Sequence, residues 1–120
     1  MKTIINVLEK FALIDEYWSP RLIGTLNNQA VKIAKLKGEF IWHHHKNEDE
    51  MFYVIEGSLT IKLREKDIVL NKNEFFIVPK GTEHKPVAKE EVLVMMFEPL
   101  STINTGNKKI DITIQKIKEG

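Results

Sequence analysis

The chain has no cysteine, and that one absence removes disulfides, iron–sulfur clusters, thiolate zinc sites and cysteine nucleophiles together. It also lacks a dominant charge. Eighteen Lys plus Arg face seventeen Asp plus Glu, leaving +1, so no global field draws in nucleic acid or an anionic membrane. The basic residues are scattered, with no patch interleaved with aromatics, and no nucleic-acid partner is expected. No run approaches the roughly 18 consecutive apolar residues of a membrane-spanning helix. The opening MKTIINVLEKF is interrupted by Asn6, Glu9 and Lys10 too early for a secretion signal. These absences predict a cytoplasmic protein with no membrane partner. Repeats and linkers are missing too, and 120 residues suit one domain with one core, spanning 1–120. What remains for chemistry is imidazole and carboxylate, and three of the four histidines are adjacent: His43, His44 and His45.

Around that cluster the pattern is mostly that of strands. Only the start differs: from Thr3 to about Leu13, apolar residues at Ile4, Leu8 and Phe11 form a helical stripe, with Thr3 available as its cap. Pro20 closes that region. Short β-branched segments follow at Arg21–Leu26 and Gln29–Lys37, separated by the turn signal Asn27-Asn28. Further strands are predicted at Phe40–His45, Met51–Glu56, Leu59–Leu63, Ile68–Leu70, Phe75–Val78 and Val92–Phe97, the last buried on both faces. About eight short strands at regular spacing argue for an all-β sandwich or barrel. The tail from Ser101 stays open between strand and helix, because Ile110, Ile112 and Ile114 alternate while Ile110, Ile114 and Ile117 suit a helix.

On a strand, residues i and i+2 share a face, so His43 and His45 point one way and His44 the other. Two imidazoles roughly 6–7 Å apart on one face can reach a single metal ion. Glu50 has the wrong parity for an unbroken strand, but the polar run Lys46–Asp49 reads as a turn that resets it, and Glu50 then opens the next strand. Glu48 is the substitute if the turn is tighter. His84, 39 residues after His45, is the fourth candidate, and a closed barrel brings such distant inward positions together. Each residue alone has a plain structural reading; their combination is what points to a metal.

The spacing Gly38-(four residues)-His43-x-His45-(four residues)-Glu50-(six residues)-Gly57 resembles the first motif of the cupin superfamily. The run Asn73-(five residues)-Pro79-x-Gly81-(two residues)-His84 is similar to its second motif. The resemblance covers about residues 38–88. It implies a jelly-roll β-barrel or sandwich with a short N-terminal helix, and His43, His45, Glu50 and His84 as metal ligands. Three positions depart from the pattern: Gly38 stands one residue closer to the first histidine, Asn73 replaces a turn glycine, and Ala88 stands where asparagine is common. Asn is the residue after glycine most at ease with positive φ. More narrowly, Phe11-Ala12-Leu13, Trp18-Ser19-Pro20, Leu36–Phe40, Glu98-Pro99 and Thr105-Gly106 are similar to the small mannose-6-phosphate isomerase-like cupins.

Three imidazoles and a carboxylate suit one divalent transition metal, Zn, Fe, Mn or Ni among others, without separating them. The expected function is a metal-dependent enzyme on a small polar or sugar-like molecule, of isomerase, lyase or oxygenase type. A small-ligand or metal-binding module without turnover, and a dimerisation scaffold with a vestigial site, are the alternatives. No catalytic residue is singled out; Tyr53, Glu48 and Glu98 are candidates for an acid or base, Trp42, Phe52 and Phe76 for the barrel mouth, and Lys80 and Lys85 for attracting an anion. A homodimer is expected through apolar positions such as Ile23 and Trp18.

Overall fold

The computed structural model describes residues 4–102 and the backbone of 118–119. Thr3 and the isoleucines at 110–117 lie outside the described residues. The N-terminal helix is shorter than the apolar stripe suggests. α1 spans Val7–Phe11 and is capped by Asn6, whose side chain accepts the Glu9 N–H at 3.0 Å. Its buried side is not the Ile4–Leu8 row, which is exposed, but Val7 and Phe11, continued by Ile14.

The strands are β1 (Arg21–Leu26), β2 (Gln29–Glu39), β3 (Glu50–Glu56), β4 (Leu59–Leu63), β5 (Asp67–Leu70), β6 (Phe75–Val78), β7 (His84–Pro99) and a two-residue β8 (Lys118–Glu119). The sheet order is β5-β4-β7-β2-β1-β8, with β3 pairing β6 and β7 off that path. All pairings are antiparallel except β1 with β8. The all-β expectation therefore holds, as a jelly-roll sandwich with one short helix.

β7 organises the molecule. It pairs with β2 along most of its length, with β4 at His84–Val87 and with β3 at Leu93–Phe97. Sequence patterning finds only Val92–Phe97, because Lys85, Pro86 and the exposed Lys89-Glu90-Glu91 break the apolar run. Between the two halves the β2 register jumps: Leu36 pairs with Val92 but Gly38 with Ala88, so residues 89–91 bulge outward. On one face, Ala34 and Leu36 of β2 and Ala88, Val92, Val94 and Met96 of β7 join the main core. On the other, Ile33 packs with Phe11 and Ile14 of the helical end, and Leu93 and Met95 lie against them. One face of Val92–Phe97 is thus buried, while Leu93, Met95 and Phe97 on the other are half-buried, so the expected burial on both faces holds only in part.

Two expectations fail here. Phe40–His45 is not a strand. Phe40 N–H bonds to Pro86 O, and His43 and His84 exchange both backbone hydrogen bonds. Three residues on one side thus match two on the other, which leaves a single bridge in place of a ladder. Ile23 and Trp18 are not free apolar positions for a dimer. Ile23 packs on the helical cluster and Trp18 stacks on Phe40 with ring centroids 4.9 Å apart. Exposed apolar side chains lie elsewhere, at Val69, Phe75 and Ile77.

Asn73 takes φ +69°, the left-handed conformation that its place at a turn requires. Gly57 takes φ +94°, and a Cβ there would stand 2.9 Å from Glu91 O, at the β7 bulge. Gly38 has a similar φ, +90°, with open space around it. Gly38→Ala should therefore cost only the conformational strain, about 1–2 kcal/mol, and Gly57→Ala distinctly more. Urea unfolding of the two variants checks this; equal losses would show that the close approach to Glu91 does not matter.

Candidate metal centre

The four residues picked out by spacing are brought together. His43, His45, Glu50 and His84 are all buried, and one donor atom from each lies within 4.8 Å of the others. Local folding explains each position. The His43–His84 bridge, with N···O distances of 3.0 and 2.9 Å, places two imidazoles side by side, 4.3 Å between ring centroids. His45 shares the inward parity of His43, and its carbonyl accepts the Gly81 N–H at 2.7 Å. Glu50 opens β3 opposite Val78. The turn before it is tied down by Asp49 Oδ1, which accepts the Lys80 N–H at 2.8 Å.

Ring orientation follows from hydrogen bonding. His43 Nδ1 lies 2.9 Å from Ile41 O, and His84 Nδ1 lies 2.9 Å from Thr82 O. A carbonyl only accepts, so each Nδ1 carries the proton and each Nε2 keeps its lone pair for the interior. There, His45 Nε2 and His84 Nε2 stand 3.3 and 3.4 Å from Glu50 Oε1, and all three atoms are buried without a hydrogen-bond partner. Buried nitrogen and oxygen atoms turned toward one another in this way fit a divalent cation. The donor set of three imidazoles and one carboxylate suits a transition metal.

The electrostatics agree. Burial, reinforced by the neighbouring His84, pushes the His43 imidazole down from 6.5 to about 4. It is neutral at pH 7, the form in which an imidazole can hold a metal. Burial alone would raise the Glu50 carboxyl, but the facing Glu98 carboxyl, His45 and His84 hold it well below the usual range.

Other candidates fall outside the group. His44 points away, as parity requires, and its side chain is 30% exposed beside Glu83. Glu48 accepts from the Ser101 hydroxyl at 3.1 Å and is not the substitute ligand. Tyr53 stacks on Phe75, Trp42 lies under the Arg64 guanidinium, and Lys85 pairs with Glu39. Phe76 packs against the main core. Phe52 does reach the site, 6.3 Å from the His84 ring.

Sequence reasoning undervalued Glu98 and missed Lys32. Glu98 is 3% exposed and Lys32 is 2% exposed, and their Oε1 and Nζ are 2.9 Å apart. Burial, and then the charge of Glu50, push the Glu98 carboxyl well above its usual range despite Lys32. Both residues continue the core parity of their strands. Lys32 follows Ala30 and precedes Ala34 and Leu36 at steps of two, and Glu98 follows Val92, Val94 and Met96. That parity was the available signal. Glu98, Glu50 and His43 form the polar end of a cavity whose other walls are Trp18, Pro20, Ala34, Leu36, Phe40, Phe52, Pro86 and Met96.

Among the described residues no helix is long and apolar enough to cross a membrane. Comparison with known proteins places these features. A family model described as the cupin domain (Cupin_2) matches residues 31–100, more than half of the chain. The crystal structure of a cupin-2 domain containing protein from Shewanella frigidimarina is 47% identical, with a TM-score of 0.79 over 80% of this chain and 94% of that one. The protein YdbB of Bacillus subtilis is 42% identical over 64 residues, covering 52% of this chain and 57% of YdbB. The 3-hydroxyanthranilate 3,4-dioxygenase of Xenopus laevis is 28% identical over 105 residues, 82% of this chain but 37% of that enzyme. The chain thus spans less than two thirds of either curated relative. On the extent of the family match, the strand topology and the buried histidine–glutamate group, the chain belongs to the cupin domain family.

Proposed function

We propose that this cupin binds one divalent transition metal through His43, His45, Glu50 and His84 and uses it to act on a small molecule. The observation that carries the reading is the group of buried, unpartnered atoms His45 Nε2, His84 Nε2 and Glu50 Oε1, beside a cavity that His43 and Glu50 help to line. Bound there, the metal would supply Lewis-acid polarisation of a ligand oxygen. The chain's residues do the rest. Ile41 O and Thr82 O fix the tautomers of His43 and His84. The cavity walls are mostly apolar, and Glu50 and Glu98 supply its carboxyl groups. The dioxygenase among the relatives supports an enzyme over a passive binding module. The likeness to mannose-6-phosphate isomerase-like cupins adds the metal site to this reading.

Protein purified without a nickel column should carry about one transition-metal ion per chain by elemental analysis. His43→Ala and His84→Ala should lose it, while His44→Ala keeps it. Equal loss in His44→Ala would overturn the ligand assignment, and a metal-free wild type would overturn the reading itself.

Acid should act through His43. Its folded pKa, about 4, lies below the ordinary 6.5, so between those values the unfolded chain takes up a proton that the folded chain refuses. Stability is then complete above pH 6.5 and declines as the pH falls toward 4, by up to roughly 3 kcal/mol. Thermal unfolding of chelator-treated wild type should show that slope, and His43→Gln should flatten it. A wild-type profile flat from pH 7 to 4 would contradict the assignment.

A further inference from the structure

The metal centre does not account for the Lys32–Glu98 pair. Two charged side chains sit 97% or more buried between β2 and β7, where an apolar pair of similar volume would cost the fold less. Lys32 satisfies Glu98 Oε1, and no nitrogen donor reaches Glu98 Oε2, which is left to the carboxyl-to-carboxyl contact with Glu50. The Glu98 carboxyl faces that of Glu50, so Oε2 belongs to the polar end of the cavity that also holds His43. The remaining walls are apolar, three of them aromatic: Trp18, Phe40 and Phe52. Arginine and lysine are absent from the lining, so nothing there recognises a phosphate or sulfate. Nor do the walls offer the hydroxyl and amide groups that a sugar's ring of hydroxyls would need. The cavity is partly open and offers about 40 Å³, room for about three waters. It would take only a ligand's reactive end, with the rest lying toward Trp18, the half-buried member of the lining.

We infer that the site takes a compact, apolar or aromatic molecule with two vicinal oxygens, one directed to the metal and the other a hydroxyl that hydrogen-bonds Glu98 Oε2. This rests on the metal-dependent reading above and adds the substrate class to it. Lys32 acts as a positioning residue, holding the Glu98 carboxyl by its other oxygen so that Oε2 stays turned into the cavity. A hydroxyl both gives and takes a hydrogen bond, so it pairs with Oε2 whichever carboxyl of the Glu50–Glu98 pair holds a proton. The apolar walls then stack on or enclose the carbon skeleton. Of the small polar or sugar-like molecules expected from sequence, this lining favours those with few hydroxyls.

The test is a binding titration on Co(II)-loaded protein, with calorimetry for affinity and the cobalt visible spectrum for entry at the metal. The probes are catechol, phenol and mannose 6-phosphate. Wild type should bind catechol more tightly than phenol and show a spectral change, and mannose 6-phosphate should bind at least tenfold more weakly than catechol. Replacing the buried pair as a unit, Lys32→Met with Glu98→Leu, avoids stranding one charge. It should weaken catechol at least tenfold, the worth of one hydrogen bond to a charged group, and change phenol less than threefold. Glu98→Gln alone, which keeps the shape and a hydrogen-bonding group, should retain part of the catechol preference. Catechol affinity unchanged in the double variant, or mannose 6-phosphate bound as tightly as catechol, overturns the inference while leaving the metal reading intact. A wild type that cannot hold Co(II) overturns both, and metal content is measured first to tell the two failures apart.

Discussion

A straight strand would hold His84 and Glu98, fourteen residues apart, at roughly 45 Å. In this protein both reach Glu50, and the bend in β7 that makes this possible is the constraint on which the site depends. The bend is built at the register jump between Leu36–Gly38 and Ala88–Val92, where residues 89–91 are pushed outward. The chain following β3 must pass close beneath that bulge, and only a residue without a side chain fits between it and Glu91 O. The geometry of Gly57, far from any donor atom, is therefore part of what assembles the centre. β7 thus carries a histidine at its start and a carboxyl near its end, with buried side chains at alternate positions on either side of the bulge.

The arrangement is costly in isolation. Each buried donor or acceptor left unpaired costs about 1–3 kcal/mol, and His45 Nε2, His84 Nε2, Glu50 Oε1 and Glu98 Oε2 are four such atoms in one region. The fold bears this because the supports are rigid. Two of the four clustered side chains are joined by a backbone bridge, one opens a strand, and the loop carrying the fourth is tied through Gly81 and Asp49. A bound cation would remove three of these penalties at once; only Glu98 Oε2 would remain. Free energy held at a site in this way is regained when the site is filled.

How far the sequence discloses this differs by residue. His43 and His45 were legible because alternation carries across a segment that is not a strand at all: the backbone bridge at His43 preserves the parity that a ladder would have imposed. Glu50 was legible because the polar run before it marks a turn. The Asn73 turn was legible from the conformational latitude of asparagine. The first half of β7 was hidden, because a proline and four charged residues are tolerated where the strand's outer edge and its bulge meet solvent. α1 was overextended because periodicity cannot say which side of a short helix a neighbour will cover.

Lys32 and Glu98 show where composition misleads. A charged residue in a strand is usually read as solvent-facing, and averaged over a strand that reading holds. Parity gives the opposite answer here, since both lie in rows of Ala, Val, Leu and Met that point to the core. The two rows are neighbours: Ala30 pairs with Glu98 and Lys32 with Met96, which makes Lys32 and Glu98 diagonal partners on one face. Register, which a single sequence does not supply, turns two improbable buried charges into one satisfied pair with an oxygen to spare. A fold that only had to close its core could fill both positions with apolar side chains, as it does at Ala34, Leu36, Val92 and Val94. That it keeps a lysine to hold a carboxyl beside Glu50 is a physical argument that the carboxyl meets something in the cavity.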